Sequence, residues 1–140
     1  MKINTTDPQT AAELEAALGD YIGTERYYTS PTFGARGFRY TDGVRKMAEL
    51  AGAFWLLCEI HAAAADHPHF KSGFWAVRME SHNTKGTLQI SFDFRDDGTP
   101  INMNGELKSD FIKGIPFTDF PEGAFEFYLQ DGIMLLKSEW

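Results

Sequence analysis

Tyr40-Thr-Asp-Gly43, followed by Val44-Arg-Lys-Met-Ala-Glu-Leu-Ala-Gly-Ala-Phe-Trp-Leu-Leu-Cys-Glu-Ile-His-Ala-Ala-Ala-Ala65, is the stretch on which the fold turns. An aspartate just ahead of an apolar run accepts hydrogen bonds from the first amides of a helix, so Asp42 reads as its N-cap. Val44, Met47, Ala51, Phe54 or Trp55, Cys58 and Ala62 then recur at helical spacing, and Leu50, Leu57 and His61 widen the stripe. The pattern predicts one long amphipathic helix over 44–65. It should end near Asp66, because Pro68 disfavours helix at His67. Gly52 costs such a helix about 1 kcal/mol relative to alanine and marks a place where a neighbour could come close.

Upstream, Asp7-Pro8 opens a short helix over roughly 8–18, with Ala11, Leu14 and Leu18 on one face. Residues 20–40 keep no period and read as an irregular segment pinned by aromatics, with room for a short helix around Thr24–Tyr28. Downstream, the period changes to 2. Trp75, Val77 and Met79 alternate with polar or small residues, as do Leu88, Ile90, Phe92 and Phe94, with a turn at Asn83-Thr-Lys-Gly86 between the runs. This predicts an antiparallel hairpin with one buried face. Ile101–Leu107 reads as a weaker third strand, and Phe111–Phe117 as a possible fourth. A capped helix over Pro121–Gln130 is expected next, and Ile133–Leu136 ends the chain as a strand or a packed tail. The class is α+β: an antiparallel sheet of about three to four strands, covered by a long central helix and two shorter helices, in one domain spanning 1–140.

With 140 residues, 43% of them hydrophobic and 14% aromatic, the chain can bury a sizeable core and is too apolar for disorder. One cysteine, Cys58, suits a reducing compartment, and it reads as a small buried hydrophobe of the long helix. The first residues lack the apolar core of a signal peptide, and Glu49, Glu59 and His61 interrupt the greasiest run, so a cytoplasmic protein without a membrane span is expected. The net charge of −7 is uneven. Residues 1–88 hold ten acids and nine bases, and residues 89–140 hold ten acids and four bases. Such an acidic half disfavours nucleic acid and suits either a solvated surface or a basic partner.

A set of short stretches in fixed order carries a family likeness. They are Tyr21-Ile-Gly-Thr-Glu25 with Tyr27-Tyr28, Tyr40-Thr-Asp-Gly43, Ala51-Gly-Ala-Phe-Trp-Leu-Leu57 with Glu59-Ile60, Phe117-Thr-Asp-Phe-Pro121, and Tyr128-Leu-Gln-Asp-Gly132 with Leu135-Leu136 and Ser138-Glu139. Together they resemble a family of small bacterial proteins of unknown function carried on phages, plasmids and integrative elements. The likeness spans roughly 18–140 and is least in Asp66–Phe111. It implies an accessory protein of mobile DNA and brings no catalytic residue with it.

The residues themselves offer little chemistry. His61, His67 and His69, with Glu59 and Asp66 nearby, are the best candidates for a metal site, since imidazole and carboxylate suit zinc. A helix end separates His61 from the other two, so no stoichiometric metal and no cofactor are expected. Asp93-Phe-Arg-Asp-Asp-Gly98 fails as a calcium loop, because Arg95 stands third and Asn104 stands where a bidentate glutamate is needed. Cys58 and His61 share a helix face without a third group to orient them. No catalytic set emerges. Two partner surfaces compete. One is the acidic set Asp96, Asp97, Glu106 and Asp110. The other is the segment where Arg26, Arg36, Arg39, Arg45 and Lys46 interleave with Tyr27 and Tyr28. The expected function is that of a non-catalytic accessory protein that binds and modulates a host protein, with counter-defence of the anti-CRISPR kind as one form. The alternative is a small metal-binding protein or enzyme built on His61, His67 and His69.

Overall fold

The computed structural model describes residues 8–21, 27–29 and 38–140. Among them run, in chain order, α1 (Ala11–Ala17), β1 (Tyr27–Thr29), β2 (Arg39–Thr41), α2 (Asp42–Ala51), α3 (Phe54–Asp66), β3 (Phe74–His82), β4 (Lys85–Ser91), β5 (Asp93–Phe94), β6 (Pro100–Ile101), β7 (Phe111–Ile115), β8 (Gly123–Gln130) and β9 (Ile133–Leu136). Seven strands form one sheet in the order β1-β2-β9-β8-β3-β4-β7, while β5 and β6 pair separately. The β2–β9 pairing is parallel, and the other pairings are antiparallel.

The α+β class stands, but the expected sheet of three to four antiparallel strands under one long helix does not. The sheet is larger and mixed, and the helices are short. The long helix breaks at Gly52, which sits in the left-handed region at φ 61° and caps α2 with its amide on Ala48 and Glu49 carbonyls. Glycine enters this conformation without the Cβ clash that other residues meet, so it ends helices readily. No close neighbour explains it, since a Cβ there would meet nothing within 4 Å. The break also resets the helical phase. In α2 the buried stripe is Val44, Met47, Ala48 and Ala51, as the spacing predicts. In α3 it becomes Leu56, Leu57, Ile60, Ala63 and Ala64, leaving Phe54, Cys58 and Ala62 exposed. Cys58 is therefore a surface residue and not a core one.

The cap of α2 is Thr41 and not Asp42. Thr41 Oγ1 accepts from the Val44 amide at 3.2 Å and donates to Glu139 Oε1 at 2.6 Å. Glu139 also accepts from the amides of Gly43 (3.2 Å) and Leu136 (2.9 Å). One carboxylate thus joins the C-terminal turn to the first turn of α2. A carboxylate suits that place because the helix N-terminus presents unsatisfied amides and partial positive charge. A side chain at position 43 has no room, because a Cβ would lie 2.6 Å from Glu139 Oε1 and Leu136 Cδ1.

The expected helix over Pro121–Gln130 is strand β8. Its Phe125, Phe127 and Leu129 are buried, while Ala124, Glu126, Tyr128 and Gln130 face the other way. Both periods fit so short a run. The register with β3, from Phe74↔Gln130 to Ser81↔Gly123, selects the strand. The expected strand over Ile101–Leu107 shrinks to Pro100–Ile101, paired with Asp93–Phe94. The hairpin at Asn83–Gly86, the strand after Phe111 and the strand at Ile133–Leu136 form as expected. At the N-terminal end Thr10 caps α1 through a bond from the Glu13 amide. Asp7, Thr24 to Arg26, Phe33 and Arg36 lie outside the described residues, and Tyr27–Thr29 is a strand.

The helices cover the sheet face carrying Val77, Met79, Leu88, Ile90 and Phe127, and these side chains form the centre of the core. The opposite face carries Arg78, Glu126 and Lys137, linked by ion pairs, and an aromatic group in which Phe74 meets Trp140 at 4.8 Å and Tyr128 at 4.7 Å. No described helix is long and apolar enough to cross a membrane.

Urea unfolding should separate the roles at the start of α2. Thr41→Ala should cost about 1–2 kcal/mol through loss of the cap, and Asp42→Ala no more than about 0.5 kcal/mol through the helix dipole. Gly43→Ala should cost about 1–3 kcal/mol by overpacking against Glu139 and Leu136. A larger loss for Asp42→Ala than for Thr41→Ala would overturn the capping assignment.

Candidate functional site

Five of the eight large hydrophobic side chains exposed among the described residues lie between 92 and 117: Phe92, Met103, Leu107, Ile112 and Phe117. They belong to the connection from β4 to β7 and to β7 and its exit. Phe92 and Met103 are each 55% exposed, Leu107 is 61% and Ile112 is 62%. Scattered single exposures are ordinary, whereas these five are concentrated in one stretch of the chain.

The segment that carries them is internally bonded. In the β5–β6 turn Arg95 N donates to Thr99 O at 2.9 Å, and Asp97 Oδ1 accepts from Thr99 N at 2.9 Å. The bonds from Thr99 hold the Asp97 carboxyl below the ordinary aspartate range. Asn102 is buried and organises the next turn: its Oδ1 accepts from the amides of Asn104 and Glu106, both at 2.9 Å, and its Nδ2 donates to Glu106 Oε1 at 3.2 Å. Asp110 then ties the unit to β7, accepting from Phe92 N at 3.1 Å and from Met103 N at 3.1 and 3.2 Å. Ser109 Oγ donates to Gln89 Oε1 at 2.9 Å, anchoring the same end to β4.

The four acids expected at a partner surface therefore fall in one unit, but three of them serve it internally. Asp97 and Asp110 cap amides, and Glu106 closes the Asn102 turn and lies 3.8 Å from Lys108. Asp96 is exposed beside them. Asp93, Arg95, Asp96 and Asp97 line a shallow depression of about 560 Å³ with Phe94 and Ile101. The sequence pointed to the acids and missed the apolar side chains between them, since alternation places Phe92 on the buried face of a strand and nothing in the letters marks Met103 or Leu107 as exposed.

Tyr27 and Tyr28 stand at the opposite edge of the sheet, on β1. Tyr28 stacks on Tyr40 at 5.8 Å, and the Arg45 guanidinium lies 4.6 Å from its ring centroid. A hydrogen bond to Tyr28 raises the Arg45 pKa, and burial raises that of Tyr40 against the opposing charge of Arg45. Arg39 covers the half-exposed Tyr27 at 5.3 Å. Tyr27 and Tyr28 thus lie at the end of the sheet opposite β7, while Asp96, Asp97, Glu106 and Asp110 lie in the connection from β4 to β7.

The histidines divide between two places. His61, on α3, meets Phe38 edge-on at 5.6 Å. His67 and His69 lie in the following turn, where His67 packs on Phe70 and Phe111 and His69 on Phe70 and Trp75. Among the described residues no three His, Cys, Asp or Glu side chains gather as a metal site. A cleft of about 520 Å³ between α1, β8 and the C-terminal turn is lined by Leu18, Phe125 and Leu136, with Glu15, Glu126 and Lys137 at its polar side. Burial works against the Lys137 charge, but the bond and charge of Glu126 outweigh it and raise the pKa.

The fold defines an α+β protein with a seven-stranded mixed sheet and a run of exposed apolar side chains between β4 and the exit of β7. The chain belongs to the family of unknown function DUF6876, whose model matches residues 12–140. No curated protein and no solved structure matches the chain.

Asp110→Ala should release the Phe92 and Met103 amides, raising their hydrogen-exchange rates about tenfold or more while β3 and β8 stay protected. Asp97 should titrate below the ordinary aspartate value by NMR. Its contribution to the turn is complete above that value and is lost as the pH falls through the lowered one. A titration at or above the ordinary value would contradict the Thr99 bonds.

Proposed function

We propose that this chain is a non-catalytic accessory protein of mobile DNA that binds a host protein and modulates it, counter-defence in the manner of anti-CRISPR proteins being one concrete form. The observation that carries the binding role is the concentration of exposed Phe92, Met103, Leu107, Ile112 and Phe117 on a segment held by Asn102 and Asp110. Exposing apolar area on an internally bonded unit lowers the ordering cost of association, which is how a preformed binding face gains affinity. The mobile-element setting is supported by the likeness of the chain's short motifs to proteins carried on phages, plasmids and integrative elements. The net charge of −7 favours a protein partner over nucleic acid.

Affinity capture from bacterial lysate, with the bait at native expression, should retain one host protein in near-stoichiometric amount. Phe92→Ser with Leu107→Ser should release it while circular dichroism stays unchanged, and Tyr27→Ala should not. In cells with an active defence system, expression should raise the plating of a targeted phage, and the double variant should not. Specific retention of nucleic acid, or one zinc per chain lost on His67→Ala, would overturn the proposal.

A further inference from the structure

We propose that the cleft between α1, β8 and the C-terminal turn is a small-molecule site whose ligand is an organic amine carried on an apolar body. The cleft shares no residue with the exposed segment over 92–117, so this inference does not depend on the binding role above. Its volume of about 520 Å³ falls within the range of ligand pockets, which are mostly apolar with a few converging polar groups. It stays open because its walls are made of small residues. Ala12 and Ala16 stand one turn apart on the exposed face of α1, away from the buried Leu14, and Gly19 lines the cleft just past the helix end. Ala124 lines it from β8. None of these reaches past a Cβ, so the space between helix and sheet is left unfilled. Leu18, Phe125 and Leu136, all buried, supply its apolar end, where a hydrocarbon or aromatic body gains by leaving water.

The charged side chains of the wall select the ligand. They are two acids and one base: Glu15, Glu126 and Lys137. Glu126 is engaged at both oxygens, since Oε1 accepts from Lys137 Nζ at 2.7 Å and Oε2 accepts from Arg78 Nη1. Glu15 is exposed and forms no ion pair among the described residues. Its charge is nevertheless felt across the cleft, because it adds to the rise of the Lys137 pKa. An ammonium group set against Glu15 gains from that carboxylate without breaking an existing pair. A carboxylate reaching for Lys137 would meet Glu15 and Glu126 beside it, like charges that repel it. The same ammonium group is offered by a free amine and by a lysine side chain, and the test separates the two.

The test is an NMR titration of the full chain, read on the methyl signals of Ala12, Ala16 and Ala124. The probes are phenethylamine, phenethyl alcohol and hydrocinnamate, which share one apolar body and differ in charge, together with lysine blocked at both backbone ends. Phenethylamine should shift these three signals and saturate them. The alcohol should bind about two- to fivefold more weakly, and hydrocinnamate more weakly still, since one exposed charge contact is worth no more than that. Glu15→Gln should weaken the amine by the same two- to fivefold, to roughly the level of the alcohol, and leave the alcohol unchanged. Ala16→Leu, at an exposed position, should fill the cleft and remove the binding of both while circular dichroism stays unchanged. Absence of any saturable shift at the three methyls would overturn the proposal, as would binding that survives Ala16→Leu. Tighter binding of hydrocinnamate would assign the cleft to anions through Lys137, and tighter binding of the blocked lysine would assign it to a protein side chain. Either result would overturn the amine assignment.

Discussion

The carboxylate of Glu139 holds the chain's two distant ends of order together. It binds Thr41, Gly43 and the Leu136 amide at once, so the C-terminal turn cannot shift without disturbing the start of α2. The parallel pairing of β2 and β9 leads into the same place, since β2 runs directly into α2 and β9 directly into the turn that carries Glu139. A parallel pair needs a long crossover. Here almost the whole domain, from Asp42 to Gln130, is that crossover. The clasp therefore fixes the register of a pairing that no short turn could set.

From this clasp the sheet extends in two directions with different character. Toward β1 the aromatics are engaged: Tyr28 meets Tyr40 and Arg45, and Arg39 covers Tyr27. Toward β7 the apolar side chains are left in solvent while the polar ones are spent on the backbone of their own loop. That inversion, carboxylates turned to internal bonds and hydrophobes turned outward, is the feature on which the proposed binding role rests. It also limits how the acidic charge acts. Asp97, Glu106 and Asp110 contribute their field at a distance, and in the proposed role packing falls to Phe92, Leu107 and Ile112.

The short stretches that carry the family likeness are mostly accounted for by architecture. Thr41 and Gly43 belong to the clasp with Glu139. Thr118 is buried, donates its amide to Thr84 O at 2.7 Å and accepts from Phe120 N at 3.0 Å, which places the turn into β8. Asp131 binds the Gly73 amide at 2.8 Å and joins the β8–β9 turn to the start of β3. Asp131 and Glu139 act on backbone amides far away in sequence, a use that spacing within a motif does not reveal.

Local pattern was enough for the β3–β4 hairpin, because Val77, Met79, Leu88 and Ile90 alternate over a length that no helix tolerates, and it was enough for the buried stripe of α2. It also located the acidic segment. It failed where two periods fit the same letters. Ala124, Phe125, Tyr128 and Leu129 satisfy a helix as well as Phe125, Phe127 and Leu129 satisfy a strand, and only the neighbouring β3 decides between them. It failed at Gly52 because the cost of a glycine within a helix resembles the benefit of one at its end, and the difference lies in what α3 must bury after the turn. The cap passed from Asp42 to Thr41 because Glu139, almost a hundred residues later, holds the threonine hydroxyl. The sequence by itself determined the class, the hairpin and the distribution of charge, all of which follow from near neighbours. The tertiary structure alone decided the parallel closure, the phase of α3 and the exposure of the β7 edge, since each depends on which distant segment takes up a backbone group or a buried face.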